Sequence, residues 1–362
     1  MKVMYLLFSF TVGGTERLVV DICNEMIQQN NEVHLYIIND CIDYLLIDSL
    51  NQNVKVELQR RKVGQKNLLE TSFKIYRYIK KNKISIIHCN SINTPEVVIL
   101  SKLLEPTLRI FYTIHSLDSY KLLNKSQIKL RNILCERIIA ISESVKKELL
   151  IAGAKKEKTI VLYNGRNLNS IKCERRLFNK KTPCIGCMGR IVPEIKGQDL
   201  LVKAIKNVKM KYPKVVCYFG GDIVGSRGYR SLLQMVEENN LKDNVSFLGM
   251  IEDVAEFYSK IDIAVIPSRQ EGFGLSLVEA MSLGIPSIAS NAEGLKEVVD
   301  TLKVGILFEM ENEVDLALKI TDLIDNYEIY EKRFQECAKM VRERFSISAM
   351  CTELKNVYSL NY

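Results

Sequence analysis

Short apolar runs and helical periods alternate along the whole of this 362-residue chain. Val3 to Phe8, Glu32 to Ile38, Ile84 to His88, Ile110 to His115 and Ile138 to Ile141 have the length and make-up of buried strands. The stretches between them are long enough for helical crossovers, so they predict a parallel sheet. After the polar, basic segment from Asn167 to Lys181 the pattern restarts. Cys184 to Met188, Val215 to Phe219, Val245 to Leu248, Ile263 to Ile266, Ser287 to Ala289 and Gly305 to Phe308 form the second set. The pattern therefore predicts two α/β domains, 1–175 and 176–344, followed by a stretch from Phe345 to Tyr362 with helical apolar spacing. Open parallel sheets bind ligands beyond the carboxyl ends of their strands. Two such ends facing one another would create a shared cleft, so chemistry is expected in the residues just after strands.

The opening MKVMYLLFSF could be taken for a signal peptide. Its apolar run ends at Phe8 and leads to Gly13 and Gly14 rather than to a small-residue cleavage site, so it reads as a first strand. No apolar stretch approaches the length of about 18 residues needed to span a bilayer.

A hydrophobic fraction of 47% with 26% charged residues is ordinary globular composition, which excludes disorder and leaves enough chain for two cores. The ten cysteines are scattered, so reduced thiols in the cytoplasm are expected rather than a disulfide framework. Cys184 and Cys187 have CxxC spacing, but no second pair follows and residues three apart on a strand face opposite ways; they read as buried small hydrophobes.

Charge is unevenly spread. Residues 1–175 carry a net +10 and the remainder −2, within a total of +8. Arg60, Arg61, Lys62 and Lys66, then Lys74, Arg77, Lys80, Lys81 and Lys83, flank or lie on a helix at 67–83 whose apolar positions are Leu69, Phe73, Tyr76 and Ile79. Three readings compete for it: a solvated face, an anionic membrane surface at the inner face of the plasma membrane, and nucleic acid. No nucleic-acid-binding motif accompanies the charge, which sets the third aside.

Candidate chemistry falls after strands. Gly13-Gly14-Thr15-Glu16 opens a helix, where glycine permits close approach and free amides attract phosphate; a tight turn is the plain alternative. His115 and His88 end strands, while His34 lies inside one. Arg190 and Lys196 bracket one loop, where a guanidinium fork and an ammonium could neutralise a diphosphate. The most specific segment runs from Pro267 to Met281. Glu271 could accept bonds from sugar hydroxyls, the backbone of Gly272, Phe273, Gly274 and Leu275 could offer amides, and Glu279 could grip a vicinal diol. Ser276 and Glu279 also fit a capping box, a structural use of the same glutamate.

Glu271 and Glu279, separated by seven residues with Gly272-Phe273-Gly274 inside, resemble the signature of the retaining GT-B glycosyltransferases of family 4. Gly13-Gly14-x-Glu16, His88, His115, Ala140-Ile141-Ser142-Glu143-Ser144 and Tyr163-Asn164-Gly165 follow in the family's order. So do Gly189-Arg190, Lys196-Gly197, and Gly294 with Glu297. The resemblance implies a GT-B fold of two Rossmann-like domains facing across a cleft, the C-terminal helix 345–362 crossing back to the first. It implies that Gly14 approaches the phosphates of a UDP- or GDP-sugar, Arg190 and Lys196 bind them, Glu279 holds the ribose, Glu271 and the amides after it contact the sugar, and His115 reaches its far side. The loop from Ile191 to Ile195 is one residue longer than usual in the family, which puts the reach of Lys196 in question.

With fixed cations present, and no DxD-type pair at a strand end of the first domain, transfer without a metal or other cofactor is expected. The acceptor implied is a glycan, with the basic helix favouring a lipid-linked one. A GT-B sugar-nucleotide epimerase and a non-catalytic sugar-binding protein are the rivals. Dehydrogenase chemistry is weaker, because Gly220, Gly221 and Gly225 do not form G-x-G-x-x-G.

Overall fold

In a computed structural model, all residues are described except 12, 116, 118–119, 121–122, 224–226 and 360–362. Gly225, Ser116 and the last three residues of the C-terminal stretch thus lie outside the described residues. The chain divides into two units, Met1–Arg166 with Ile347–Tyr362, and Asn167–Ser346.

The first unit is built on strands β1 (Lys2–Leu7), β2 (Glu32–Asn39), β3 (Lys55–Arg61), β4 (Ile86–Cys89), β5 (Arg109–Ile114), β6 (Arg137–Ala140) and β7 (Thr159–Val161). They pair in parallel in the order β3-β2-β1-β4-β5-β6-β7. The second has β8 (Cys184–Met188), β9 (Val216–Gly220), β10 (Val245–Gly249), β11 (Ile263–Ile266), β12 (Ser287–Ser290) and β13 (Ile306–Phe308). Its order is β10-β9-β8-β11-β12-β13, again all parallel. The expected α/β class and the doubled Rossmann-like arrangement are both present. In each sheet the strand order reverses beside the first strand, which marks the place where such sheets bind ligands.

Two strands, β3 and β7, are absent from the apolar pattern. Both are edge strands: β3 carries polar residues such as Lys55, Glu57, Gln59 and Arg61 on its half-solvated faces, and β7 is only three residues long. Arg60 and Arg61 therefore end a strand, and the helix begins only at Leu68 and runs to Asn82. That helix is also turned from its expected orientation. Leu69 is 87% exposed and Phe73 51%, whereas Thr71, Ser72, Ile75 and Ile79 are buried. The polar inward positions have local reasons: Gln59 donates to Thr71 Oγ1 at 3.3 Å, and Tyr78 reaches His34 Nδ1 at 2.8 Å.

The domain boundary lies at Arg166/Asn167 rather than near 175. Residues after 167 are fastened to the second unit: Arg175 donates to the Gly284 carbonyl and pairs with Glu331, and Arg176 pairs with buried Asp262. At the far end Phe345 packs edge-on against Phe273, so the return segment starts at Ile347. The helix Ile347–Ser359 then lies on the first sheet's core with Met350, Cys351, Leu354 and Tyr358 buried.

Tyr358 fixes His88. The imidazole is bonded through Nδ1 to the Tyr358 hydroxyl and through Nε2 to Thr113 Oγ1 at 2.6 Å, and it stacks on Tyr5. Burial pushes its pKa down to about 3. The unfolded chain takes up that proton near pH 6.5, so this histidine makes stability fall as pH drops from about 6.5 towards 3. Asp262, raised to about 6 by burial, works in the opposite sense over part of this window. The difference between wild type and His88→Gln isolates the histidine. Urea midpoints between pH 6.5 and 4.5 should show a shallower slope for the variant, by up to about 1.4 kcal/mol per pH unit; parallel slopes would contradict a neutral His88.

Candidate active site at the switch point of the second sheet

β8 and β11 are neighbours in the second sheet, with Ile185 beside Ile263 and Gly186 beside Ala264. The chain leaving β8 carries Arg190 and Lys196, and the chain leaving β11 carries Pro267 to Gly274, so sheet order alone sets the two loops side by side. The first loop holds a single helical turn, Pro193–Lys196, closed by Gly197 at φ +66. Here glycine is required twice over: the backbone is left-handed, and a Cβ would sit 1.9 Å from the Pro267 carbonyl oxygen. Arg269 and Gln270 donate their amides to the Ile195 carbonyl at 2.8 and 3.2 Å. Arg269 also donates to the Pro193 carbonyl at 2.6 Å and grips Asp199 through both nitrogens, at 2.7 and 2.9 Å, and Glu311 at 2.9 Å.

These restraints bring Lys196 Nζ to 2.7 Å from Glu271 Oε2, with the Ser268 hydroxyl 3.3 Å from the same oxygen. The longer loop therefore does not keep Lys196 away from Glu271. Arg190 is held differently. Its carbonyl accepts from Gln198 Nε2 at 2.8 Å, while its exposed guanidinium has no hydrogen bond or ion pair among the described residues.

Helix Leu275–Ser282 starts from Gly274 at φ +94, with no side-chain cap. The capping-box reading is thus corrected: Ser276 is already inside the helix, and Glu279 has no capping work. Glu279 is buried and accepts from the Tyr258 hydroxyl at 3.1 Å, which also lies 3.1 Å from the Ser276 carbonyl. The Phe273 side chain is buried against Phe345, so this residue offers the site only its backbone. Gly272 and Glu271 are pressed against the next helix, Glu293–Leu302: a Cβ on Gly294 would meet the Glu271 carbonyl oxygen at 2.3 Å.

His115, Gly13 and Gly14 belong to the first unit. Gly13 and Gly14 start the helix Gly14–Gln28 beside β1, and Asn90 and His115 follow β4 and β5. The Glu16 carboxylate folds back over Gly13, 2.4 Å from where its Cβ would be, whereas the corresponding space at Gly14 is open. His115 Nε2 is 3.0 Å from Asn90 Oδ1. Since Asn90 Nδ2 donates to the His88 carbonyl, Oδ1 is the acceptor and Nε2 bears the ring proton. Nδ1 is then a bare lone pair, buried and without a partner among the described residues. Burial pushes this pKa to about 4, so the ring is neutral at physiological pH.

Residues 12–170 match the family model described as Glycosyltransferase Family 4, and residues 171–341 the one described as Glycosyl transferases group 1. An uncharacterized glycosyltransferase of Methanocaldococcus jannaschii is 31% identical over 281 residues, 77% of this chain and 70% of that protein. The chain belongs to glycosyltransferase family 4. It is a nucleotide-sugar-dependent glycosyltransferase with a GT-B fold. Another relative, the O-antigen biosynthesis glycosyltransferase WclY of Escherichia coli, is 26% identical over 81% of this chain and 84% of its own. HepE of Anabaena, solved in complex with UDP, shares the fold with a TM-score of 0.85 at 22% identity, covering 99% of this chain and 100% of that one.

Sequence reasoning missed Tyr258, Ser268, Arg269 and Asn90. Arg269 stands within the most specific segment, but nothing in the one-dimensional pattern says that it faces Asp199. Tyr258 reads as an ordinary apolar position of a short helix. Two glycines of this glycosyltransferase should respond oppositely to alanine. Gly294→Ala should lower stability by about 1–3 kcal/mol through overpacking against the Glu271 loop, while Gly14→Ala should leave the melting temperature unchanged or slightly higher. Calorimetry of both variants checks this, and a destabilised Gly14→Ala would contradict the open space seen there.

Proposed function

We propose that this glycosyltransferase moves a hexose from a UDP- or GDP-sugar to a hydroxyl of a lipid-linked glycan in cell-surface polysaccharide synthesis. The observation that carries the reading is the meeting of Lys196 and Glu271 at 2.7 Å, beside the loop of Arg190. A cation suited to phosphate and a carboxylate suited to hydroxyls stand together, and a sugar diphosphate carries both of the groups they would bind. As the nucleoside diphosphate leaves the anomeric carbon, negative charge grows on its oxygens, and Arg190 and Lys196 stabilise it. Glu279, steadied by Tyr258, binds the ribose diol, and the amides of residues 272–275 face the sugar or its phosphates. Gly14 leaves room for the phosphates to approach the start of its helix. The neutral Nδ1 of His115 accepts a sugar hydroxyl, a role for which an imidazolium would be unsuited. The names of the family relatives in capsule and O-antigen synthesis support the assignment to cell-surface polysaccharide.

Transfer proceeds with retention and without a metal, the protein cations doing the electrostatic work. Incubation with UDP-, GDP- and ADP-sugars, with and without membrane lipid extract, identifies donor and acceptor. Donor consumption with no acceptor would favour epimerisation instead. Activity should survive EDTA, and its loss with recovery on adding a divalent cation would refute metal independence. Arg190→Ala should lower turnover by about 10²–10³-fold. Because that side chain is exposed and unpaired among the described residues, its melting temperature should not move. Unchanged turnover would remove the diphosphate assignment.

The acceptor side of the proposal rests on the outward apolar residues Leu68, Leu69 and Phe73, rimmed by exposed Lys62, Lys66, Lys74 and Arg77. The exposed Leu103 and Leu104 lie on a helix that touches this one. Apolar side chains entering the interface and basic ones at its surface are what an anionic bilayer binds. No helix among the described residues is long and apolar enough to cross a membrane. Sedimentation with vesicles containing anionic lipid should show salt-weakened binding, lost in Leu69→Asp/Phe73→Asp. Equal binding by that variant would place the contact elsewhere.

A further inference from the structure

The contact between Lys196 and Glu271 is enforced by the backbone. Lys196 ends a one-turn helix whose closing residue, Gly197, touches the Pro267 carbonyl, and Ile195 accepts both amides that precede Glu271. Arg269 then staples the turn at Pro193 and the following helix at Asp199. Neither partner is well solvated: the side chains are 26% and 17% exposed, and Glu271 takes a second bond from buried Ser268. Pairs so screened from water are costly to break by removing one partner.

The two cations assigned to the diphosphate are thus in different states. Arg190 is free to meet an anion, while Lys196 is already neutralised. For Lys196 to turn to phosphate, Glu271 needs other donors, or it is left as a poorly solvated carboxylate beside a new negative charge. The hydroxyls of a donor sugar can supply those bonds; the ribose hydroxyls of a bare nucleoside diphosphate are assigned to Glu279, which leaves none for Glu271. Resting on the functional reading above, we propose that Glu271 is a specificity-determining lock on Lys196. It releases the cation to the diphosphate only when a sugar occupies the carboxylate. The lock makes the enzyme prefer sugar nucleotide to bare nucleotide. After transfer, loss of the sugar returns Glu271 to Lys196 and weakens the hold on the leaving nucleoside diphosphate. No covalent change is involved; one ion pair is exchanged for hydroxyl-to-carboxylate and ammonium-to-phosphate bonds.

The test is calorimetric titration of wild type, Glu271→Gln, Lys196→Met and the double variant with UDP and GDP, each beside its glucose conjugate. Gln keeps the shape of the side chain and removes the charge, and melting temperatures establish that each variant is folded. Glu271→Gln should bind the bare nucleotide about tenfold more tightly, the scale of one charge-assisted hydrogen bond released. It should bind the sugar conjugate no more tightly than wild type. In the Lys196→Met background most of that gain should vanish, because there is no cation left to free. Unchanged or weaker binding of UDP and GDP by Glu271→Gln overturns the lock while leaving the donor assignment standing. A gain that persists in full without Lys196 also overturns it, since simple charge repulsion would then suffice. Absence of nucleotide binding by every form of the protein overturns both the lock and the functional reading.

Discussion

The carbonyl oxygen of Pro267 occupies the space in which any side chain at position 197 would begin. Because β8 and β11 are adjacent strands of one parallel sheet, their exit loops must run side by side, and at Gly197 they touch backbone to backbone. That contact sets where the one-turn helix Pro193–Lys196 ends and therefore where the ammonium of Lys196 falls. The amides of Arg269 and Gln270 fix the opposite loop against the same turn, which sets where the carboxylate of Glu271 falls. The meeting of cation and carboxylate is thus a consequence of strand order and one missing Cβ. Flexible surface side chains would have given such a pair little worth.

Three cations of this unit illustrate how charge is divided between holding and binding. Arg269 is satisfied by two carboxylates and a carbonyl, which hold its pKa well above the usual range, and it has nothing left for a ligand. Its work is to keep the loops in register. Lys196 is half committed, with a single carboxylate that a ligand could engage instead. Arg190 is uncommitted among the described residues. In the proposed lock, attraction for an anion begins at Arg190 and becomes complete only when Lys196 changes partner. A site built of three free cations would bind any polyphosphate, and its affinity would carry no information about the sugar.

The strands that are buried on both faces were legible in the sequence, because such strands are continuous apolar runs; β8 and β11 agree to the residue. β3 was not, since its alternating polar residues share their composition with loops, and β7 was not, since three residues are too short a run to stand out. The helix Leu68–Asn82 misled in a different way. It has apolar residues on two faces, and periodicity alone cannot say which of Phe73 or Ile75 faces inward; Gln59 and His34, distant in sequence, decide it through Thr71 and Tyr78. The candidate site shows the same division. Lys196, Glu271 and Glu279 were legible because their residue types are unusual beside glycines after a strand. The capping box was a local coincidence, overridden by Gly274, which takes the N-cap position two residues before Ser276. Arg269, Tyr258 and Ser268 escaped because their meaning lies in partners that only the folded chain supplies.

The imidazole of His115 clarifies how the chemistry divides between the units. A protonated ring would have been a cation with an attraction of its own for phosphate. Burial and the bond to Asn90 instead keep it neutral, with the proton on Nε2 and an acceptor lone pair at Nδ1. Such a group can receive a hydroxyl but can do nothing for a departing pyrophosphate. In the proposed mechanism the charge that stabilises the leaving group comes from Arg190 and Lys196, although residues 1–175 carry the larger positive excess. Much of that excess stands on and around the exposed face of Leu68–Asn82, where it surrounds apolar side chains instead of a pocket. Net charge therefore marks a surface in one unit, while in the other two cations and one carboxylate, placed by backbone contacts, are enough to define a site.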